Sequence, residues 1–185
     1  MNHSQSGPES VGVSAERLAR LTCVLEREIA SGKLPGAVAL ISRRGTVAYF
    51  EALGQLDPAR GTPMTKDAIF RIYSMTKPIV SVAVMMLVEQ GLLLLTDPIT
   101  RYIPELSAVQ VAQGRGADMT LVPVARPITV HDLLRHTAGL TYHFMGASGV
   151  HRQYASARLF TREWPNEHFC KALAKLPLLG QPGAA

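Results

Sequence analysis

Two apolar runs, Ala37 to Ser42 and Thr46 to Ala52, stand either side of Arg43-Arg44-Gly45, and no other segment gives a convincing strand signal. Short runs of strand-forming residues around a tight polar turn predict an antiparallel β-hairpin. A two-stranded hairpin is marginal in water and needs more strands or a covering helix. The remainder of the chain is mostly helical in pattern, so the hairpin is expected to sit in an α/β architecture. With so few strands and a chain that stops on a Pro-Gly loop, the domain reads as incomplete at its C-terminus.

The helical signals can be placed one by one. Ser14 is a plausible N-cap, and Leu18, Leu21, Leu25 and Ile29 recur behind it at helical spacing until Gly32 and Pro35. Residues 54–67 read as a loop rich in Gly, Pro and Asp, and Ile69 to Tyr73 as a short extended piece. A helix is expected from Ser74 to about Gln90, stopped by Gly91, with Pro78 in or near the first turn where its missing N–H costs little. Residues 96–127 look irregular. Thr129 and Asp132 form a capping-box-like start for a short helix through Leu133, Leu134 and His136, ended by Gly139. A last helix is expected from about Asn166 to Lys175, followed by a loop-like tail. Residues 1–13 read as a flexible leader and 14–185 as the N-terminal part of a single domain.

Composition removes several classes of function. An apolar share of 47% against 18% charged residues is that of an ordinary globular protein, not a disordered one. The net charge of +5 is spread without a Lys/Arg cluster interleaved with aromatics, so no nucleic-acid partner is expected. Glu89, Gln90 and Gly91 interrupt the longest apolar runs, so no membrane span is expected, and the N-terminus does not read as a signal peptide. Cys23 and Cys170 lie far apart, without pairing or metal spacing, and read as buried free thiols. Together these features give the expectation of a soluble cytoplasmic protein. His131, His136, His143 and His151 lack any His-Glu-x-x-His pattern or acidic partner, so no metal site is expected. Gly146-Ala147-Ser148-Gly149 likewise lacks the Gly-x-Ser-x-Gly spacing of a nucleophile elbow.

The chemistry concentrates in Ser74-Met75-Thr76-Lys77. Ser74 and Lys77 are three positions apart, which puts both on one face of a helix about one turn apart. At a helix start, free backbone N–H groups and the positive end of the dipole favour developing negative charge on the serine. A serine hydroxyl needs a base to take its proton, and a lysine can serve where its surroundings favour the neutral amine. The bare pattern is weak, because an N-cap serine followed by a solvated lysine would look the same.

The surroundings are more specific. Phe70-Arg71-Ile72-Tyr73-Ser74-Met75-Thr76-Lys77-Pro78 is followed by Leu87-Val88-Glu89-Gln90-Gly91-Leu92 and Leu95-Thr96-Asp97-Pro98-Ile99. Later comes Ile128-Thr129-Val130-His131-Asp132-Leu133-Leu134-Arg135-His136-Thr137-Ala138-Gly139-Leu140. In this order the segments resemble the β-lactamase-like serine hydrolases: class C β-lactamases, family VIII carboxylesterases, acyltransferases and the penicillin-binding-protein-like D-amino-acid and D-Ala-D-Ala hydrolases. The resemblance covers about residues 14–185.

That resemblance implies a β-lactamase/transpeptidase-like fold, an antiparallel sheet flanked by helices with a helical region beside it. It implies Ser74 as a nucleophile that forms an acyl-enzyme, Lys77 as its general base, and the Ser74 backbone N–H as one oxyanion-hole donor. No metal or organic cofactor is implied. The expected partner is a small-molecule ester or amide. In the family a tyrosine assists the lysine shortly after a Pro-Gly loop; Pro182-Gly183 matches that loop, which puts the tyrosine just past Ala185. The later Lys-Thr-Gly or His-x-Gly strand motif is also absent. Tyr154-Ala155-Ser156 imitates the tyrosine motif but lacks its lead-in and reads as a partly buried helix residue. Tyr142 and Phe144 read first as core packing and second as acyl-pocket lining. Three activities stay open: carboxylesterase on small esters, favoured by the missing export signal, then β-lactamase or small-molecule acyltransferase. A catalytically inactive remnant or binding module is the alternative of another class.

Overall fold

The computed structural model describes residues 7–114, 118–161 and 163–184. The chain divides between Ile72 and Tyr73 into two compact units.

The first unit holds helix α1 (Ala15–Ala30) and strands β1 (Gly36–Arg43), β2 (Thr46–Asp57) and β3 (Thr62–Pro63), in an antiparallel sheet of order β1-β2-β3. Ser14 caps α1 as expected, its hydroxyl accepting from the Arg17 N–H at 3.3 Å. The hairpin is also as expected. Arg43 pairs with Thr46, so Arg44 and Gly45 form a two-residue turn, with φ of +53° and +76°. Positive φ at both central residues matches the right-handed twist of the flanking strands. The helix α1 lies against β2, with Leu18, Val47 and Tyr49 buried and Thr22 hydrogen-bonded to the Tyr49 hydroxyl at 2.8 Å. The expected loop at 54–67 instead contains the end of β2 and all of β3. Residues 1–6 of the expected leader lie outside the described residues, while Pro8–Val11 forms a 3-10 turn with Val11 buried. Cys23 is exposed rather than buried, because it lies on the solvent side of α1.

The second unit carries helices α2 (Thr76–Glu89), α3 (Val130–Leu134), α4 (Gly149–Ser156) and α5 (Asn166–Leu173), with a small sheet of β4 (Gln110–Gln113) and β5 (Thr120–Pro123). The sheet lies inside the stretch expected to be irregular. Leu178 extends it: its N–H donates to the Gln110 carbonyl at 2.8 Å and its own carbonyl accepts from Ala112 at 2.9 Å. Its side chain is fully buried, so the expected loop-like tail is part of the core. That core comprises Ile99, Leu106, Val109, Val111, Ile128, Val130, Ala138 and Leu178, with a second cluster of Val150, Tyr154, Leu159 and Leu176. Residues 69–72 join no sheet, and Ile69 is 97% exposed.

Helix α3 begins with the capping box read from Thr129 and Asp132. It ends two residues before His136, which takes a left-handed φ of +60° in the role expected of Gly139. Among the described residues, no helix is long and apolar enough to cross a membrane.

Candidate active site

Ser74 sits in a 3-10 turn, Tyr73–Met75, that runs directly into α2. Lys77 is in the first turn of α2, and its Nζ donates to the Ser74 Oγ at 3.1 Å. The two residues therefore meet as their spacing predicts. No side chain caps the start of α2, which leaves its first backbone N–H groups and positive dipole end beside Ser74. Tyr73, the residue before the serine, holds a left-handed φ of +43°. For a bulky residue that conformation costs on the order of 1–3 kcal/mol and is typically retained at functional sites. Both Ser74 and Lys77 are exposed.

Lys77 Nζ also lies over the ring of Tyr142, 5.9 Å from its centroid. Tyr142 stacks on Phe144 at 5.1 Å and on Phe160 at 5.7 Å, and His143 meets Phe144 edge-on. This aromatic group is the part of the site that sequence reasoning undervalued. Tyr142 follows the His136-Thr137-Ala138-Gly139-Leu140 turn by two positions, but nothing in that spacing announces contact with Lys77.

Behind the aromatics, the turn after α3 is tied down at several points. Asp132, 5% exposed, accepts from both Arg126 Nη atoms at 2.6 and 2.8 Å, from the Thr129 N–H and hydroxyl, and from the Thr137 hydroxyl. The Arg126 guanidinium is the main cause that holds the Asp132 carboxyl far below the usual carboxylate range, with Thr129 assisting against the penalty of burial. The Thr137 carbonyl accepts the Gly183 N–H at 2.7 Å, and the Gly139 carbonyl accepts the Leu179 N–H at 2.7 Å. Gln181 holds Ala125 and Pro123 through its side-chain amide. Gly139 has φ of +82°, and a Cβ there would run into the Gly180 carbonyl oxygen. The Pro182-Gly183 loop is thus fixed to the turn containing His136.

Tyr154 is no part of the Ser74–Lys77 pair. It is 2% exposed, more buried than expected, and its hydroxyl makes no hydrogen bond of good geometry among the described residues. Burial pushes its pKa up to about 12, with the nearby Thr141 backbone opposing the shift. His151 is buried and engages Ser148, the N-cap of α4, at 2.7 Å. No cluster of His, Cys, Asp and Glu suited to a metal ion occurs among the described residues.

Residues 21–185 match the family described as Beta-lactamase. The chain belongs to this family, the β-lactamase-like serine hydrolases, and has its fold of helices and antiparallel sheet. Protein Rv1367c of Mycobacterium tuberculosis (strain ATCC 25618 / H37Rv) is 41% identical over 154 residues, 83% of this chain and 38% of its own length. Esterase EstB of Burkholderia gladioli is 36% identical over 188 residues, 100% of this chain and 45% of its own. Among solved structures, EstCE1, a hydrolase with promiscuous acyltransferase activity, superposes with a TM-score of 0.74 at 31% identity, over 90% of this chain and 42% of that one. The chain spans about two fifths of the length of the relatives it matches.

Proposed function

We propose that residues 14–185 form the nucleophile-bearing part of a single serine hydrolase domain, and that the reaction is hydrolysis of small carboxylic esters. The observation that carries this reading is the 3.1 Å contact between Lys77 Nζ and Ser74 Oγ at the start of α2. Ser74 Oγ attacks the ester carbonyl carbon as its proton passes to Lys77 Nζ. The negative oxygen of the tetrahedral intermediate lies near the Ser74 N–H and the positive end of α2. Collapse breaks the bond to the leaving oxygen, which takes the proton back from Lys77. Water then repeats the sequence on the acyl-enzyme and releases the acid. An alcohol in place of water would give acyl transfer, a second reading favoured by the likeness to EstCE1.

Intact-mass analysis after exposure to a nitrophenyl butyrate tests the proposal. A single butyryl adduct is expected on the chain and none on Ser74→Ala. In Lys77→Met the rate of adduct formation should fall by about 100-fold or more, the usual contribution of a general base. An adduct that forms equally fast on Ser74→Ala would refute it.

A further inference from the structure

The second unit contains a cavity of about 410 Å³ that shares a wall with the proposed site. Tyr142 and Phe160 line it, and the same Tyr142 ring lies 5.9 Å from Lys77 Nζ. Its other walls include Leu106, Leu159, Phe169 and Leu173, together with the thiol of Cys170. Burial pushes that thiol's pKa up, with Glu105 adding to the shift. The volume falls within the roughly 300–1,000 Å³ of small-molecule sites. The described lining residues include no Lys, Arg, Asp or Glu. A charged group placed there would lose much of its hydration among mostly apolar walls.

We infer that this cavity is the acyl pocket, selecting neutral aliphatic acyl groups longer than acetyl. The inference rests on the reading of Ser74 as nucleophile. Tyr142 is then the specificity-determining wall: one face holds the Lys77 head group and the ring also bounds the space that receives the chain. Each methylene that enters should raise the acylation rate about fourfold until the cavity fills. Between acetyl and hexanoyl, that amounts to a preference on the order of a hundredfold.

Two measurements on the full chain test this separately. The first uses a Cys23→Ala, Ser74→Ala background, in which Cys170 is the remaining thiol. Octanamide should slow alkylation of Cys170 by iodoacetamide, read by intact mass, whereas acetamide should not. The second compares Ser74 acylation by nitrophenyl acetate and nitrophenyl hexanoate. Hexanoate should be favoured, and Leu173→Trp, which fills the cavity, should lower hexanoate acylation roughly tenfold more than acetate acylation. Equal acylation by the two esters, or Cys170 alkylation indifferent to octanamide, overturns the pocket. Protection of Cys170 with no acylation by either ester overturns the Ser74 reading and the acyl role with it, and shows that the cavity binds an aliphatic chain for another purpose.

Discussion

Replacing Asp132 by Asn removes one charge and almost no volume, so its effect isolates the buried ion pair behind the site. The carboxylate accepts from five donors: two Arg126 nitrogens, the Thr129 N–H, and the Thr129 and Thr137 hydroxyls. An asparagine keeps one acceptor oxygen and turns an NH2 group toward donors, so part of this set must break. Removing one member of a buried pair costs about 3–5 kcal/mol. The Arg126 side chain is 44% exposed and can rehydrate, which places the expectation near the lower end, about 3 kcal/mol. Urea unfolding at pH 7 reads this as a midpoint lowered by about 1–3 M for ordinary m-values. The pH dependence supplies a second check. The folded-state pKa of Asp132 is depressed, so its contribution is fully present above the unfolded value near 3.9 and is lost as pH falls toward the folded one. The gap between wild type and Asp132→Asn should therefore be flat from pH 5 to 7 and shrink below about pH 4. A loss under about 1 kcal/mol at pH 7, or a gap as large at pH 3 as at pH 7, would refute the reasoning.

Tyr154→Phe removes a buried hydroxyl that makes no hydrogen bond of good geometry among the described residues, so stability at pH 7 should be unchanged or slightly higher, and Ser74 acylation should persist. In the wild type, the raised Tyr154 pKa means that its contribution is present below pH 10 and is lost as pH rises toward about 12. The wild type should thus lose about 2–3 kcal/mol over that interval in urea titrations, and the Phe variant should not. Gly139→Ala combines a left-handed φ with a Cβ directed at the Gly180 carbonyl, and should lower stability by about 1–3 kcal/mol in the same assay.

What the sequence revealed and what it hid divide along physical lines. The hairpin, the Ser14 and Thr129 caps and the Ser74–Lys77 contact are local: each depends on residues within a few positions, where periodicity and capping chemistry speak directly. The strands β4 and β5 were hidden because Gln110-Val111-Ala112-Gln113 and Thr120-Leu121-Val122-Pro123 are four-residue segments that become strands by pairing with each other, β4 also with Leu178. Strand formation of that kind depends on partners, not on intrinsic preference. The early end of α3 was hidden for the opposite reason, since His136 takes a backbone conformation that sequence would assign to glycine. Tyr142 belongs with the strands: its place over Lys77 is a long-range contact that no spacing predicts.

The same structure places a condition on how reactive Ser74 can be. Helix α2 carries no charged residue between Lys77 and Glu89, yet Ile79 and Val82 are each 61% exposed and Met86 53%. A helix apolar on every side is normally buried. Left in water, the dipole and N–H groups at its start act across a high dielectric, where they stabilise an oxyanion far less than in a dry site. The Ser74–Lys77 contact is already set by the 3-10 turn running into α2, but its electrostatic strength depends on the apolar flank being covered. An activated nitrophenyl ester is therefore the appropriate first substrate, because its good leaving group asks least of the oxyanion site. The steeper test follows from the same argument: alkyl esters, with poor leaving groups, should respond far more than nitrophenyl esters to anything that covers α2. Equal responses would mean that Ser74 does not depend on a desolvated helix terminus.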